Sequence, residues 1–358
     1  MNKITILLIA LMLSVAGLNA QSHSKDSTGL QISGTADIYY KYDFAQSATN
    51  TPAKDNLFGT LQNSLNFGVL DLRLKKKFGK VSFYSDIALG ARPDTKPVDP
   101  ANSYHIQSLY VAYQLNPKLQ LSAGVMYRYE SFEKLNPTDN FHYSLTNSFR
   151  QSFLTNPRTA GIRGMYKFSD KVSLSAAFFN SIDPKAPSDN ISAAPFYGVS
   201  DFSSQLIVNP VKDLQLSAAI WVEGQKANGT HTNFQAKYKY KSTWKLSFDG
   251  NILNASDGVG AANSFRSAAL YLQKDLCKVF TLGGRYEYFD QVLVAGNPKE
   301  HYNIYTLTGC LKLGAIQFKA EGKFDFTTKD NAGSNLIGKD GLPTYNASQF
   351  IAAAIYSF

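Results

Sequence analysis

The stretch Ile316-Gln317-Phe318-Lys319-Ala320-Glu321-Gly322-Lys323-Phe324-Asp325-Phe326 alternates an apolar or small residue with a charged or polar one along its whole length. Only an extended chain sends odd and even positions to opposite faces, because a helix would spread the same residues around its axis. One face of this segment therefore meets an apolar medium and the other meets water. The contrast recurs in Ile32, Gly34, Ala36, Ile38, Tyr40, Tyr42 and Phe44 against Ser33, Thr35, Asp37, Tyr39, Lys41 and Asp43. It returns in Leu119, Leu121, Ala123 and Val125 against Gln120 and Ser122, and in Trp244, Leu246, Phe248 and Ile252 against Lys245, Ser247, Asp249 and Asn251. Such runs exceed the five or six residues of an ordinary globular strand and suit a tilted crossing of a bilayer.

The connections alternate between very short and long. Tight turns fall at Gly79-Lys80, Asn116-Pro117, Ser169-Asp170, 209–213, Lys241-Ser242, 275–278 and Gly314, and polar loops rich in Gly, Pro and Asn lie between them. Seven turns and eight loops predict about sixteen antiparallel strands, including strands at 80–92, 118–131, 264–275 and 346–358. An even count puts both ends on one side, with the short turns facing the periplasm. Aromatics bunch at strand ends: Tyr39, Tyr40, Tyr42, Phe44, Tyr286, Tyr288 and Phe289 at one rim, and Phe78, Phe168, Tyr240 and Phe358 at the other. Two such belts are the girdles of a barrel in lipid, which must close because lipid cannot satisfy an open sheet edge.

Composition narrows the alternatives. The chain has 358 residues, a net charge of +9, 18% charged residues, 24 Phe, 21 Tyr and two Cys. That is too aromatic for disorder and too poor in cysteine for a disulfide scaffold. A mean hydropathy of −0.21 excludes a bundle of spanning helices. Met1-Asn2-Lys3, the apolar run Ile4 to Leu18 and the ending Leu18-Asn19-Ala20 read as a secretory signal over 1–20, followed by a short periplasmic segment over 21–29 and the barrel over 30–358. Export to the bacterial outer membrane is the expected destination.

The opening Ile32-Ser33-Gly34-Thr35-Ala36-Asp37-Ile38-Tyr39-Tyr40-Lys41-Tyr42-Asp43-Phe44, with Leu70-Asp71-Leu72-Arg73-Leu74 and Ile106-Gln107-Ser108-Leu109-Tyr110-Val111-Ala112-Tyr113-Gln114-Leu115, resembles the OmpL-like β-barrel porin-2 family of Bacteroidetes-type outer membranes. The resemblance implies passive diffusion of small hydrophilic solutes, with no catalytic residues and no cofactor. By analogy with other sixteen-stranded porins it implies a homotrimer. The terminal Tyr356 and Phe358 resemble the signal by which the barrel-assembly machinery recognises its clients.

With the apolar faces in outer-membrane lipid, the polar faces line the lumen. The expected pore-lining set is Lys41, Arg73, Arg92, Arg128, Glu130, Arg163, Lys237, Lys245, Asp249, Arg285, Glu287, Lys319, Glu321 and Lys323, with Lys75, Lys239 and Arg266 as further inward cations and Asp37, Asp71, Asp86 and Asp325 as inward acids. A barrel of this size holds water, so these charges are expected to be hydrated, and their basic excess predicts a weak anion preference. The longest loop, 132–157, is the candidate constriction and carries Glu133, Asp139, His142 and Arg150.

Other chemistry finds little support. The histidines His105, His142, His231 and His301 fall in loops or at outer strand ends, where solvation is expected, and no nucleophile–base arrangement accompanies them. No HExxH, CxxC or DxDxDG motif is present, so no metal is expected. The basic residues are spread along strand faces rather than gathered in one patch, which argues against nucleic acid. The competing reading is a non-conducting barrel that anchors extracellular loops for adhesion or assembly.

Overall fold

In the computed structural model the described residues are 29–44, 63–92, 105–127, 131–149, 158–182, 196–224, 229–254, 264–292, 300–327, 336, 342 and 344–358. The expected secretory segment and parts of the long loops, with Arg128, Glu130 and Arg150, lie outside them. Sixteen strands run in order: β1 (Gln31–Asp43), β2 (Ser64–Phe78), β3 (Val81–Leu89), β4 (Ile106–Asn116), β5 (Leu119–Tyr127), β6 (Arg158–Lys167), β7 (Val172–Ile182), β8 (Phe196–Val208), β9 (Leu214–Val222), β10 (Thr230–Tyr240), β11 (Trp244–Asn254), β12 (Ser264–Asp275), β13 (Phe280–Val292), β14 (Glu300–Leu313), β15 (Ile316–Thr327) and β16 (Asn346–Ser357). Each pairs antiparallel with its neighbours in sequence, and β1 pairs with β16, closing the barrel.

The closing seam is set by backbone pairing and one close approach. Gly34 N donates to Phe358 O at 2.9 Å and Phe358 N returns a bond to Gly34 O at 3.1 Å. A Cβ at position 34 would lie 2.3 Å from the Phe358 ring, so only glycine admits that ring over the first strand. The tight turns hold residues in the left-handed region, including Gly79, Asp213, Lys241, Ser242 and Gly314. Such φ values match the twist of two-residue hairpins.

Outward positions carry the apolar surface. Ile38, Phe67, Ile162, Phe178, Leu246, Leu270, Tyr305, Leu307, Phe318, Phe324 and Phe350 are all exposed. No helix among the described residues is long and apolar enough to cross a membrane, and the crossing elements here are strands. Two aromatics assigned from sequence to the outer belt, Tyr39 and Phe289, are instead buried inward. Each has its outer-belt place taken by a strand neighbour, Tyr40 and Tyr288, on the opposite face.

One expected strand ends early. β3 stops at Leu89 rather than 92 because Gly90 adopts φ 118°, turning the next residues into the barrel. β5 is described to Tyr127, and residues 131–146, which include the last residue expected of that strand, are irregular. The expected position of Arg92 at the end of a strand is therefore replaced by an inward turn.

Candidate functional site

Residues 131–149 lie inside the barrel, and their own polar side chains shape them first. Asn136 Oδ1 accepts Thr138 N at 2.9 Å and Thr138 Oγ1 at 2.7 Å, an Asx turn that reverses the chain around Pro137. Asn140 closes the same bend by accepting Lys134 N at 2.9 Å. Further on, Glu133 Oε2 accepts both N and Oγ1 of Thr146, at 2.8 and 2.7 Å.

This preformed segment docks on the wall built by β13, β14, β15, β16 and β1. Glu321 on β15 accepts the backbone amides of Tyr143 and Ser144 at 2.7 and 2.8 Å, and the Thr308 hydroxyl at 2.7 Å. Glu287 on β13 accepts the next amide pair, Asn147 and Ser148, at 3.1 and 3.0 Å. Two wall carboxylates thus satisfy four loop amides that no strand ladder can reach, and charge-assisted bonds of this kind are the strong ones. Arg285 Nη1 donates to Glu133 at 2.8 Å and to Ser144 O at 2.8 Å, while Lys319 Nζ donates to Pro137 O and Asn140 O at 2.7 and 2.6 Å. Across the seam, the Tyr143 hydroxyl donates to Asp37 on β1.

Apolar packing completes the docking. Leu135, Tyr143, Leu145 and Phe149 of the loop form one cluster with Tyr39, Ile351, Ala353 and Ile355 of the wall. Phe141 lies against Gly283, where a Cβ would stand 2.4 Å from its ring. Phe132 packs on Tyr271 with centroids 4.4 Å apart.

Arg92 is the centre of this contact. Its guanidinium sits 4.2 Å above the Tyr143 ring, donates to Tyr143 O at 2.9 Å and Leu135 O at 3.3 Å, and has Nε 3.9 Å from Asp37. The side chain is 0% exposed. His142 is also enclosed, with Nδ1 2.7 Å from Thr308 Oγ1 and 3.8 Å from Glu321. Burial, then the nearby Arg285 and Lys319 cations, push its imidazole well below the ordinary histidine range.

The expected lumen charges therefore divide. Arg92, Arg285, Glu287, Lys319 and Glu321 all face inward but are buried beneath the loop, so the expected hydration does not hold for them. Lys41, Asp249 and Lys323 are inward and buried too. Asp249 accepts Asn233 and Asn251 at 2.7 and 3.0 Å, and Lys323 pairs with Asp325 at 3.2 Å. Arg73, Arg163, Lys237 and Lys245 remain more open. Lys237 Nζ lies 4.9 Å above the Phe132 ring, and Lys245 is 3.8 Å from Asp275. The expected inward position of Arg266 is corrected: it shares a row with Ile252 and Asp290 on the outward face near the rim, because it falls on the even register of β12. The solvated state expected of His142 and His231 is also corrected, since both are buried. His231 is held by Asn251 at 3.1 Å.

Opposite the docked wall, a cavity of about 300 Å³ opens between the loop edge at 134–139 and the inner face of β2 to β6. Arg73 crosses its floor, reaching Asp139 of the loop at 2.6 Å, Asp71 at 3.1 Å and Asp86 at 3.4 Å. Tyr84 and Tyr110 stand side by side in the cavity wall, with ring centroids 5.2 Å apart.

A profile of the family described as "Putative beta-barrel porin-2, OmpL-like" matches residues 29–358. The chain belongs to this family. Solved structures with the same fold include the outer membrane channel DcaP of Acinetobacter baumannii, with TM-score 0.59 at 14% identity over 95% of this chain and 100% of the other. OmpT, an outer membrane protein of Vibrio cholerae, gives 0.60 at 11% over 93% and 99%, and an anion-selective porin from Comamonas acidovorans gives 0.59 at 10% over 92% and 99%. No curated protein matches the sequence. Membership in the porin-2 family and these neighbours place the chain among porin-like outer-membrane β-barrels.

What the sequence reading missed is the partner of the loop. Ile351, Ala353 and Ile355 make β16 apolar on its inner face as well as its outer one. A strand that is apolar on both faces was the available signal that something covers that wall.

Proposed function

We propose that this porin-2 protein lets small hydrophilic solutes diffuse passively across the outer membrane through its water-filled lumen, and that loop 131–149 narrows the path. The observation that carries the reading is the lopsided placement of that loop. It is bonded to one wall by paired carboxylates and leaves a charged cavity against the other. A loop that only decorated an anchor would have no need of four amide bonds and a buried arginine inside the barrel.

The passage is weakly anion-preferring in this reading. The cavity presents Arg73, Lys75, Lys134 and Arg163 against Asp71, Asp86 and Asp139, and Lys237, Lys239 and Lys245 are exposed on the far wall. One solved neighbour of the same fold is titled an anion-selective porin, and another is described in a trimer form. A homotrimer of this chain, export by the 1–20 segment, and recognition of Tyr356 and Phe358 by the barrel-assembly machinery belong to the same proposal. Those two rings stack at 6.1 Å on the outer face of the closing strand.

Planar-bilayer recording of the refolded chain tests it. Discrete open steps with a zero-current potential displaced toward chloride in a KCl gradient are expected. Silent membranes with correctly folded protein would instead favour the loop-presenting anchor.

A further inference from the structure

The cavity between loop and open wall gathers buried polar atoms that are unfinished. Asp71 and Asp86 on β2 and β3, and Asn136 on the loop, are each more than nine-tenths buried and line the same space. Asp71 Oδ1 is taken by Arg73 Nε at 3.1 Å, while Asp86 Oδ1 and Asn136 Nδ2 have no hydrogen-bond partner. Buried polar atoms are ordinarily satisfied, so an acceptor and a donor left open across one cavity describe the complement of a ligand. Its size is at the lower end of small-molecule sites.

The charged groups already present decide what kind of ligand fits. An anionic solute would need Arg73, whose guanidinium is held by Asp139 at 2.6 Å with Asp71 and Asp86 beside it. Arg163 is spent on the carbonyl of Tyr127. An ammonium would need the face of Tyr84, and Lys75 Nζ occupies it at 5.3 Å from the centroid. Neither charge has a vacant counterpart. A neutral solute with many hydroxyls needs none: an O–H group donates to Asp86, a hydroxyl oxygen accepts from Asn136, and its C–H face lies on the paired rings of Tyr84 and Tyr110.

We propose that this cavity is a binding subsite for neutral polyhydroxylated solutes of monosaccharide to disaccharide size, on the permeation path. The proposal rests on the porin reading and names its solute class. A carboxylate accepting a hydroxyl proton supplies orientation, and the tyrosine pair supplies apolar contact.

The test uses the refolded full chain with glucose and maltose as probes. Sugar added to one side of a planar bilayer is expected to reduce the KCl current along a saturating curve, and glycine or succinate at the same concentrations is not. Asp86→Asn and Asn136→Ala are each expected to raise the half-saturating sugar concentration by about tenfold, the effect of one lost hydrogen bond to a charged or buried group. Titration calorimetry of the detergent-folded protein with the same sugars gives a readout that does not need conduction. Normal conductance steps with no saturating sugar effect and no heat would overturn the subsite and leave the porin standing. Saturation by glycine or succinate instead would overturn the solute class. Absence of conductance would refute the porin reading, and sugar heat lost in both variants would still separate the subsite from it.

Discussion

The two sides of this lumen carry charge at comparable density and use it in opposite ways. On the wall of β13 to β15, continued through β1, Arg285, Glu287, Lys319, Glu321 and Asp37 are buried, and every one of them faces a loop atom. On β10 and β11, Lys237, Lys239 and Lys245 project from the same kind of inward register and stay open to solvent. An inward position on a barrel strand is therefore a necessary condition for lining a pore and not a sufficient one. The first wall spends its charge on structure, and the second keeps it exposed to the lumen, where it acts on passing ions.

The sharpest way to break this contrast is to remove the acceptor that holds two consecutive loop amides. Glu321→Ala leaves Tyr143 N, Ser144 N and the Thr308 hydroxyl without their partner in a water-poor site. It should weaken the docking of the loop by about 3 kcal/mol or more. Single-channel conductance should rise and proteolysis within 131–149 should accelerate, while the barrel itself stays folded by heat-modifiable electrophoresis. Glu321→Gln keeps one acceptor oxygen and should fall between. An unchanged channel in Glu321→Ala would mean the wall charge is not what holds the loop.

A second difference between the walls is their response to acid. His142 is held neutral in the docked loop by burial, with Arg285 and Lys319 adding to the effect and Thr308 and Glu321 facing its ring. Because its folded pKa is depressed, the unfolded or released loop binds a proton that the docked loop does not, and stability is lost as pH falls below about 6.5. His142→Gln should flatten the fall in melting temperature between pH 7.5 and pH 5, and an identical fall in wild type and variant would place the acid sensitivity elsewhere.

How much of this was readable beforehand follows from how local each signal is. The alternation of 316–326 coincides with β15 and the strand expected over 264–275 with β12, and the tight turns coincide with residues such as Gly79 and Gly314 that take positive φ. Alternation and turn chemistry are properties of neighbouring residues, so a single chain displays them. The division of lumen charge is set by contacts between residues far apart in sequence, such as Glu321 with Tyr143 or Arg92 with Leu135. Nothing near Glu321 distinguishes it from Lys245. The doubly apolar β16 and the glycine at 283 that admits Phe141 are the two places where the distant loop left a local trace.

The link between the loop edge and the open wall is weaker than the docking on the other side. Arg73 is 23% exposed and Asp139 34%, so their bond is partly screened despite its 2.6 Å length, and Asp71 and Asp86 retain Arg73 when Asp139 is gone. Asp139→Asn should lower stability by about 1 kcal/mol or less, and should change open-channel noise more than mean conductance. A large loss of stability would show that the loop is clamped from both sides.

The smallest expected effect on folding comes from reversing charge on the open wall, and it is the most direct measure of what that wall is for. Lys245 and Asp275 form a 3.8 Å pair with 47% and 32% of their side chains exposed, a setting in which an ion pair contributes little. Lys237 rests over the Phe132 ring through its ammonium at 4.9 Å and is exposed, whereas Lys319 is buried against the loop backbone. Lys237→Glu with Lys245→Glu should therefore leave the melting temperature within the range of an ordinary surface change, about 0.5 kcal/mol. The same pair of substitutions moves four charges' worth of potential in the lumen, so the zero-current potential in a KCl gradient should swing toward the potassium side. Lys319→Glu, by contrast, puts a carboxylate against the carbonyls of Pro137 and Asn140 and should unseat the loop before any selectivity can be read. If the two open-wall reversals leave the ion preference untouched, exposure alone does not make a residue govern the current, and selectivity has to be sought at the Arg73 cluster instead.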